Sequence, residues 1–264
     1  MVFLARSPQP AAAITVLVAL GVLVLSCARE KAELPLGCIV IAKSGTTISA
    51  ADLAFDDTIQ HAGFRTTFIV DSELSLDACE MTCDAIIYSA SSLGSFGAII
   101  ASCNKPVLTW EEGFARSTAM TGPSVGIDAG NAVEGAVILG TASDNTMLFD
   151  GPQDMSWANV SSLGSGATII ATSAAHPTRA VAYFYCPGDL MYGGVRAPSL
   201  RLHLPPHYFP VSPALQWTGE GEAMRDSAVQ ALLRGVKGSG TGSKPSRSSG
   251  TGSTPAGSWA CPAR

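Results

Sequence analysis

The stretch LGCIVIA, residues 36–42, is an uncharged apolar run of strand length, and the predicted fold is built outward from it. A strand that is apolar on both faces is typical of a parallel sheet that helices cover on each side. Ser49-Ala-Ala-Asp52 then fits a helix-capping sequence, which predicts a helix that continues to about His61 and ends at Gly63. The following RTTFIV, residues 65–70, is β-branched and aromatic and predicts a second strand.

Strand and helix patterns continue to alternate through the first half of the chain. The sequence predicts a short helix at 76–83, a strand at 85–88, a loop of small residues at 89–97 and a strand at 105–110. Strands separated by helices indicate βαβ units, and such units form a parallel sheet.

The second half of the chain has a different pattern. Four further strands are predicted at 136–139, 167–172, 180–185 and 200–204, with connections short enough for hairpins. An amphipathic helix is predicted at 219–234. Together the patterns predict an α/β fold, Rossmann-like or flavodoxin-like, with a mostly parallel central sheet, helices on both faces and antiparallel additions in the second half.

The chain begins with a polar stretch that contains Arg6, followed by the uncharged apolar stretch AAAITVLVALGVLVLSC at 11–27. A basic start, an apolar centre and a small-residue cleavage site mark a secretory signal, and Ser26-Cys27-Ala28 supplies the site. Residues 1–28 are therefore predicted to be a signal peptide or a signal anchor. The protein is expected to be secreted, or held at a membrane by residues 11–27. A buried first helix and a lipoprotein site at Cys27 are the other interpretations of this segment.

Composition divides the rest of the chain into two parts. Residues 34–235 are predicted to form one folded domain, in which nineteen Asp and Glu and nine Lys and Arg lie between Leu34 and Arg234. An acidic domain is poorly suited to nucleic acid, whose binders carry a basic face for the phosphates. Residues 236–264 are rich in Gly and Ser, which predicts a disordered tail. Contact with a membrane is expected only through the N-terminal segment.

Cleavage after Ala28 would leave an even number of cysteines, which permits disulfides in an oxidising compartment. They are Cys38, Cys79, Cys83, Cys103, Cys186 and Cys261, and the sequence selects no pairing among them. Cys38 lies in the apolar stretch at 36–42 and is interpreted as a buried free thiol. The four histidines do not stand at metal-ligand spacing, so no metal is predicted. Asn159-Val160-Ser161 is the only acceptor sequence for N-glycosylation.

No cofactor is predicted. The loop at 43–47, KSGTT, has neither the GxxxxGK[ST] nor the GxGxxG pattern that holds nucleotide phosphates. The chain also lacks the GxSxG nucleophile elbow of α/β hydrolases. Because the chain lacks all three patterns, none of them assigns a reaction to it.

The segment KPVLTWEEGF, residues 105–114, resembles the strand and tight turn of class I glutamine amidotransferase-like domains, where K-P-V-L-G-I-C-x-G carries the nucleophilic cysteine. In that register Glu111 stands where the cysteine would be. RLHLPPH, residues 201–207, falls where that superfamily has the strand ending in the catalytic histidine, and DAIIYSASS, residues 84–92, falls at the preceding strand. The resemblance implies the fold of the superfamily, whereas the missing thiol argues against glutaminase activity.

A secreted branch of this superfamily shares further segments with the chain. Its members have a D-hydrophobic-S-S-S-x-S strand end, a P-V-L-T-W-E segment followed by T-G, and a later P-T-R-A-x-x-F-x-Y strand. In this chain, residues 107–111 correspond to the P-V-L-T-W-E segment and residues 121–122 to the T-G that follows it. Residues 177–185 correspond to the later strand. The resemblance covers about residues 36–235 and implies a module that accompanies carbohydrate-active or adhesive domains.

The predicted function is that of an extracytoplasmic, non-catalytic module that binds a small molecule or a glycan. Ligands bind at the carboxyl ends of the strands in open α/β sheets. The candidate ligand-binding residues are therefore Trp110 and Glu111, at the end of the 105–110 strand, together with Ser91 and Ser92.

Two alternatives remain open. One is a hydrolase that uses Glu111 with His203 or His207, and the meeting of one histidine with the Glu111 carboxylate in a single cleft would favour it. The other is a structural or adhesive surface protein held by its signal anchor.

Overall fold

The computed structural model describes residues 34–41, 48, 50–73, 82–92, 97–140, 146–205, 217–239 and 259–261. The chain divides into two units, Met1–Glu33 and Leu34–Arg264, and every described residue belongs to the second unit. The predicted leader at 1–28, Cys79, His207 and most of the predicted helix at 76–83 lie outside the described residues.

The first half of the second unit alternates strands and helices. The strands are β1 (Leu36–Ile41), β2 (Arg65–Val70), β3 (Ala85–Tyr88) and β4 (Val107–Thr109), and the helices are α1 (Ala50–His61), α2 (Gly97–Ile100) and α3 (Glu112–Ser117). The four strands and α1 confirm the prediction. The backbone φ of Gly63 is 103°, the left-handed conformation that commonly follows a helix end. The sequence does not predict α2 or α3, because helices this short show no apolar period.

The second half contributes six strands and a long helix. They are β5 (Ala129–Glu134), β6 (Ala136–Ile138), β7 (Gln153–Asn159), β8 (Thr168–Ser173), β9 (Arg179–Tyr185), β10 (Arg201–His203) and α4 (Gly219–Ser239). Strands β6, β8, β9 and β10 match the predicted ones. The sequence misses β5 and β7, since AGNAVE and QDMSWAN have too few β-branched and aromatic residues to stand out as strands.

Within the described residues, ten strands form one mixed sheet in the order β2-β1-β3-β4-β10-β9-β7-β5, and β8 pairs with β6 and β9 beside this path. Strands β1, β2, β3, β4 and β10 pair in parallel, and the other pairings are antiparallel. The structure thus confirms a mixed α/β sheet with antiparallel additions. The parallel strands, however, occupy one half of the sheet. Strand β10 pairs antiparallel with β9, as the predicted hairpin requires, and also joins the parallel strands beside β4.

Helices cover both faces of the sheet, as predicted. Consecutive strand residues point to opposite faces, so Ile39 of β1 packs with α1 and α4 in one layer, whereas Val40 packs with α2 and α3 in the other. None of the helices in the described parts of the chain is both long enough and apolar enough to span a membrane.

Disulfides connect the strands to the segments beside them. Cys38 of β1 is bonded to Cys83, which lies just before β3. Cys186, just after β9, is bonded to Cys261, and Cys103 is also disulfide-bonded. The interpretation of Cys38 as a free thiol is therefore wrong. Because β1 and β3 are neighbours, the Cα atoms of Cys38 and Cys83 are 5.7 Å apart, a distance that a disulfide spans.

The C-terminal part of the chain needs a second correction. Helix α4 continues past residue 235 to Ser239, and Trp259 is buried in the core with its ring centroid 5.5 Å from that of Phe184. The Cys186–Cys261 disulfide holds this segment in place. Residues 236–239 and 259–261 therefore belong to the folded domain, because burial of a tryptophan and a covalent link offset the chain entropy lost there. Residues 240–258 lie outside the described residues.

Candidate functional site

The carboxyl ends of the parallel strands meet at one edge of the sheet. Tyr88 of β3 pairs with Thr109 of β4, so Ser89 and the residues after it lie beside Trp110 and Glu111. The first turn of α1, which follows β1, brings Asp52 to the same edge. In open α/β sheets this edge is where ligands bind.

Asp52 organises the residues that follow β3. Its buried carboxylate accepts hydrogen bonds from the hydroxyls of Ser89 and Ser91, the second at 3.3 Å. The Ser91 backbone N–H donates to the Ser89 hydroxyl at 3.1 Å, and the Ser92 hydroxyl donates to the Ser89 carbonyl at 2.6 Å. These bonds fix the turn after β3, in which Ala90 and Ser91 are half-buried and Ser89 and Ser92 are buried.

Tyr88 links this turn to the carboxylates around it. Its ring is buried and packs on Phe114 of α3 at 4.3 Å between centroids. Burial raises the pKa of the Tyr88 phenol far above its usual range, against a side-chain hydrogen bond with Ser92, and the charges of Asp71 and Glu111 add to the rise. The phenol therefore stays protonated at neutral pH. It contacts residues that follow both strands, Ser92 after β3 and Phe114 after β4.

Glu111 caps helix α3. Its carboxylate accepts a hydrogen bond from the Gly113 backbone N–H at 2.9 Å, and its own N–H donates to the Thr109 hydroxyl at 3.0 Å. That hydroxyl in turn donates to the Tyr88 carbonyl at 3.1 Å, which ties the cap to β3. Burial raises the Glu111 pKa to about 7, opposed by the Gly113 hydrogen bond and reinforced by the charge of Glu112. Near neutral pH this carboxyl exists in both protonation states, so it can either donate or accept.

We call Asp52, Tyr88, Ser89, Ser91, Ser92 and Glu111 the carboxyl-edge cluster. The structure brings together three of the predicted ligand-binding residues, Ser91, Ser92 and Glu111, through Tyr88 and Thr109. Asp52, Ser89 and Tyr88 are the members that sequence reasoning misses. Tyr88 ends a predicted strand, Ser89 follows it, and Asp52 lies in the first turn of the helix after β1; these positions are the signal that could have found them.

Trp110 does not join this cluster. Its side chain points to the opposite face of the sheet, where it is only 1% exposed and stacks on Phe55 of α1 with ring centroids 4.1 Å apart. Its carbonyl accepts a hydrogen bond from the Ser156 hydroxyl at 3.0 Å. The predicted contact between a ligand and the Trp110 ring needs correction, because strand alternation places neighbouring side chains on opposite faces.

His203 lies inside the sheet. It pairs with Thr109 of β4 and with Tyr183 of β9, is 1% exposed, and stacks on the Tyr183 ring with centroids 4.7 Å apart. Its Nδ1 is 3.2 Å from the Val181 carbonyl oxygen. Glu111 follows the end of β4, two residues after Thr109, the strand partner of His203.

The described residues offer little for metal or thiol chemistry. No group of three or more His, Cys, Asp or Glu side chains comes together among them as a metal site would require. Each cysteine within the described ranges is disulfide-bonded. Asn159, the glycosylation candidate, is the half-buried last residue of β7.

A scan against protein-family models finds no match for the chain, and a search of curated proteins finds none either.

Proposed function

We propose that the chain is an extracytoplasmic, amidotransferase-like α/β module that binds a small hydroxyl-bearing ligand at the carboxyl-edge cluster and does not hydrolyse amides. The observation that carries the proposal is the hydrogen-bonded Asp52, Ser89 and Ser91 set beside Glu111, at the ends of adjacent parallel strands.

The strand order supports the finer fold assignment. Read along the sheet, the parallel strands run β2-β1-β3-β4-β10, which has the form of the flavodoxin-like order 2-1-3-4-5. In that order the switch point, where ligands bind, lies between β1 and β3. Asp52 follows β1 and Ser89 follows β3, so the cluster occupies the expected ligand position.

The absence of a thiol at the cluster supports a non-catalytic role. In the amidotransferase-like register, Glu111 stands at the nucleophile position, and a carboxylate is a much weaker nucleophile toward amides than a thiolate. The cysteines of the described ranges are all held in disulfides and are not available as substitutes.

The chemistry of the cluster favours hydroxyl groups in the ligand. Serine hydroxyls both donate and accept hydrogen bonds, and Glu111 does so as well because its pKa is about 7. A sugar or another polyol offers matching donors and acceptors. Since the Trp110 ring is buried against Phe55, recognition would depend on hydrogen bonds rather than on stacking of the sugar ring.

The test is a thermal-shift screen of the full-length protein with mono- and oligosaccharides, other polyols and small anions. A ligand of this site should raise Tm in the wild type, and Ser91→Ala and Glu111→Gln should each reduce that shift. Ser165→Ala is the matched control, because Ser165 is an exposed serine in a loop before β8. A shift that survives both cluster variants, or a preference for anions over polyols, would overturn the assignment.

The hydrolase alternative would have to use a buried histidine, because His203 is 1% exposed, its ring stacks on Tyr183 and its Nδ1 lies 3.2 Å from the Val181 carbonyl oxygen. His207 lies outside the described residues. The anchored-surface-protein alternative is tested separately by N-terminal sequencing of the mature protein, where a start at Arg29 would reject the anchor.

A further inference from the structure

The acceptor sequence at 159–161 occupies a surface turn with a defined geometry. Asn159 is the last residue of β7 and caps a single-turn 3-10 helix, Val160–Ser162. Its side-chain oxygen Oδ1 accepts hydrogen bonds from the Ser161 backbone N–H at 3.1 Å and from the Ser161 hydroxyl at 2.8 Å. The two polar residues of the acceptor sequence therefore contact each other in the folded protein.

Asn159 is half-buried, and its amide nitrogen makes an exposed contact. Its contact within the chain is a 3.5 Å hydrogen bond from Nδ2 to the carbonyl oxygen of Ile127, a residue that is 69% exposed. The Asn159 backbone is fixed by its N–H, which donates to the Asp128 carbonyl at 2.7 Å. A group attached to Nδ2 would thus extend from a rigid position into solvent.

Exposed apolar side chains lie on the two segments that meet at Asn159, the loop before β5 and the turn after β7. Val125 and Ile127 lie on the loop before β5, and Val160 follows Asn159 directly; all three are substantially exposed. The loop is nevertheless ordered by Asp128, which accepts hydrogen bonds from the Ser124 N–H and the Ser162 hydroxyl. We call Val125, Ile127 and Val160 the apolar rim. Exposed apolar side chains on neighbouring ordered segments offer a surface that another group can cover.

We propose that Asn159 is an N-glycosylation site and that its glycan covers the apolar rim. The donor would be an oligosaccharide linked to a polyprenyl diphosphate, which a membrane-bound oligosaccharyltransferase of the secretory compartment uses. The bond between the sugar C1 and the phosphate oxygen breaks, a bond from C1 to Nδ2 forms, Nδ2 loses one proton, and the lipid diphosphate leaves. The second N–H of Nδ2 is retained and can keep its contact with Ile127.

The compartment is the part of this inference that rests on the proposed extracytoplasmic role. The disulfides Cys38–Cys83 and Cys186–Cys261 agree with it, because structural disulfides form in oxidising compartments. The site itself rests on the turn geometry, the exposed nitrogen and the apolar rim.

The test is cell-free translation of the full chain with endoplasmic-reticulum microsomes, followed by an amidase that removes N-linked glycans. We expect a single enzyme-sensitive increase in mass for protein that is protected from added protease. Asn159→Gln and Ser161→Ala should abolish it, whereas Ser161→Thr should preserve it. Asn104→Gln is the matched control, since Asn104 is an exposed asparagine outside any acceptor sequence.

A second version of the full chain, preceded by a cleavable heterologous leader, separates the two ideas. Glycosylation of this version alone would reject the extracytoplasmic role while the site stands. Protease-protected protein without a glycan at Asn159 in both versions would overturn the site. For the rim, the glycosylated wild type should bind a hydrophobic dye less than Asn159→Gln does, and equal binding would reject the covering role.

Discussion

At the scale of single residues, Glu111 shows how burial turns an ordinary side chain into a sensor of pH. Its carboxyl is only 8% exposed, and its pKa of about 7 compares with an ordinary value of 4.5. As the pH rises, the carboxyl loses its proton at a lower pH in the unfolded chain than in the folded protein. Rising pH therefore favours the unfolded state. The stability contributed by the neutral carboxyl is complete below pH 4.5 and is lost progressively up to about pH 7.

The variant Glu111→Gln should remove this pH dependence, because the amide keeps an acceptor for the Gly113 N–H but does not ionise. Relative to the wild type, it should gain stability on the order of 2–3 kcal/mol between about pH 4.5 and pH 8, from about 1.4 kcal/mol per pKa unit. Urea unfolding at both pH values measures this gain. Glu220→Gln, on the exposed start of α4, controls for the loss of one charge, and parallel pH profiles for Glu111→Gln and wild type would contradict the prediction.

Arg201 is a buried cation that the sequence does not reveal. Its guanidinium donates to the carbonyls of Cys103 and Lys105, at 2.6 and 2.8 Å, and thereby fastens the loop before β4 to β10. Burial lowers the Arg201 pKa to about 10, so the group stays charged at neutral pH. An arginine in a strand pattern gives no sign of this role, since its partners are backbone atoms of a distant segment.

At the scale of elements, the start of α4 contains two glycines with opposite surroundings. A Cβ atom at Gly221 would collide with the carbonyl oxygen of Leu148, whereas a Cβ at Gly219 would meet open space. The close approach at Gly221 is how the first turn of α4 packs on the chain before β7.

Substitution of the two glycines should separate packing from helix propensity. Gly221→Ala should lower the free energy of unfolding by about 1–3 kcal/mol, because backbone atoms must move apart. Gly219→Ala should leave it unchanged or raise it by up to about 1 kcal/mol, since alanine restricts the unfolded chain. Chemical denaturation measures both, and similar effects at the two positions would show that the collision at Gly221 is relieved without cost.

The elements also show what the sequence can predict and why the rest escapes it. Strands β1 to β4 and helix α1 follow from local apolar patterns that their final positions preserve. Strands β5 and β7 and helices α2 and α3 take their structure from tertiary pairing, which outweighs local propensity. Within the site, the end of the predicted strand at 105–110 indicates Glu111, but only the pairing of β3 with β4 and the position of α1 bring Asp52 and the serines to that edge.

At the scale of the whole molecule, the C-terminal segment is part of the fold. The Cys186–Cys261 disulfide joins residues 75 positions apart, and Trp259 fills a place beside Phe184 in the core. Together they place the segment 259–261 next to the end of β9.

Removal of this disulfide should weaken the entire domain. The double variant Cys186→Ser and Cys261→Ser should lose about 2–5 kcal/mol of stability, as is typical for native disulfides. Urea unfolding without reductant measures the loss, with Trp259→Phe in the disulfide-bonded chain as a separate measure of the core contact. If the double variant had the same urea midpoint of unfolding as the wild type, Trp259 alone would be sufficient to hold the segment in place.

The fixed position of Trp259 also changes how the Gly/Ser-rich stretch at 240–258 can be used. Both of its flanks, Ser239 of α4 and Trp259, belong to the folded domain, so the stretch connects two fixed points. The entropy of closing such a connection grows slowly, by about 0.6 kcal/mol for each doubling of its length. For a flexible connection, a longer stretch between these two points would thus add little closure entropy. Exchange of residues 259–261 for other sequence would instead remove Trp259 from its place beside Phe184 and open the core.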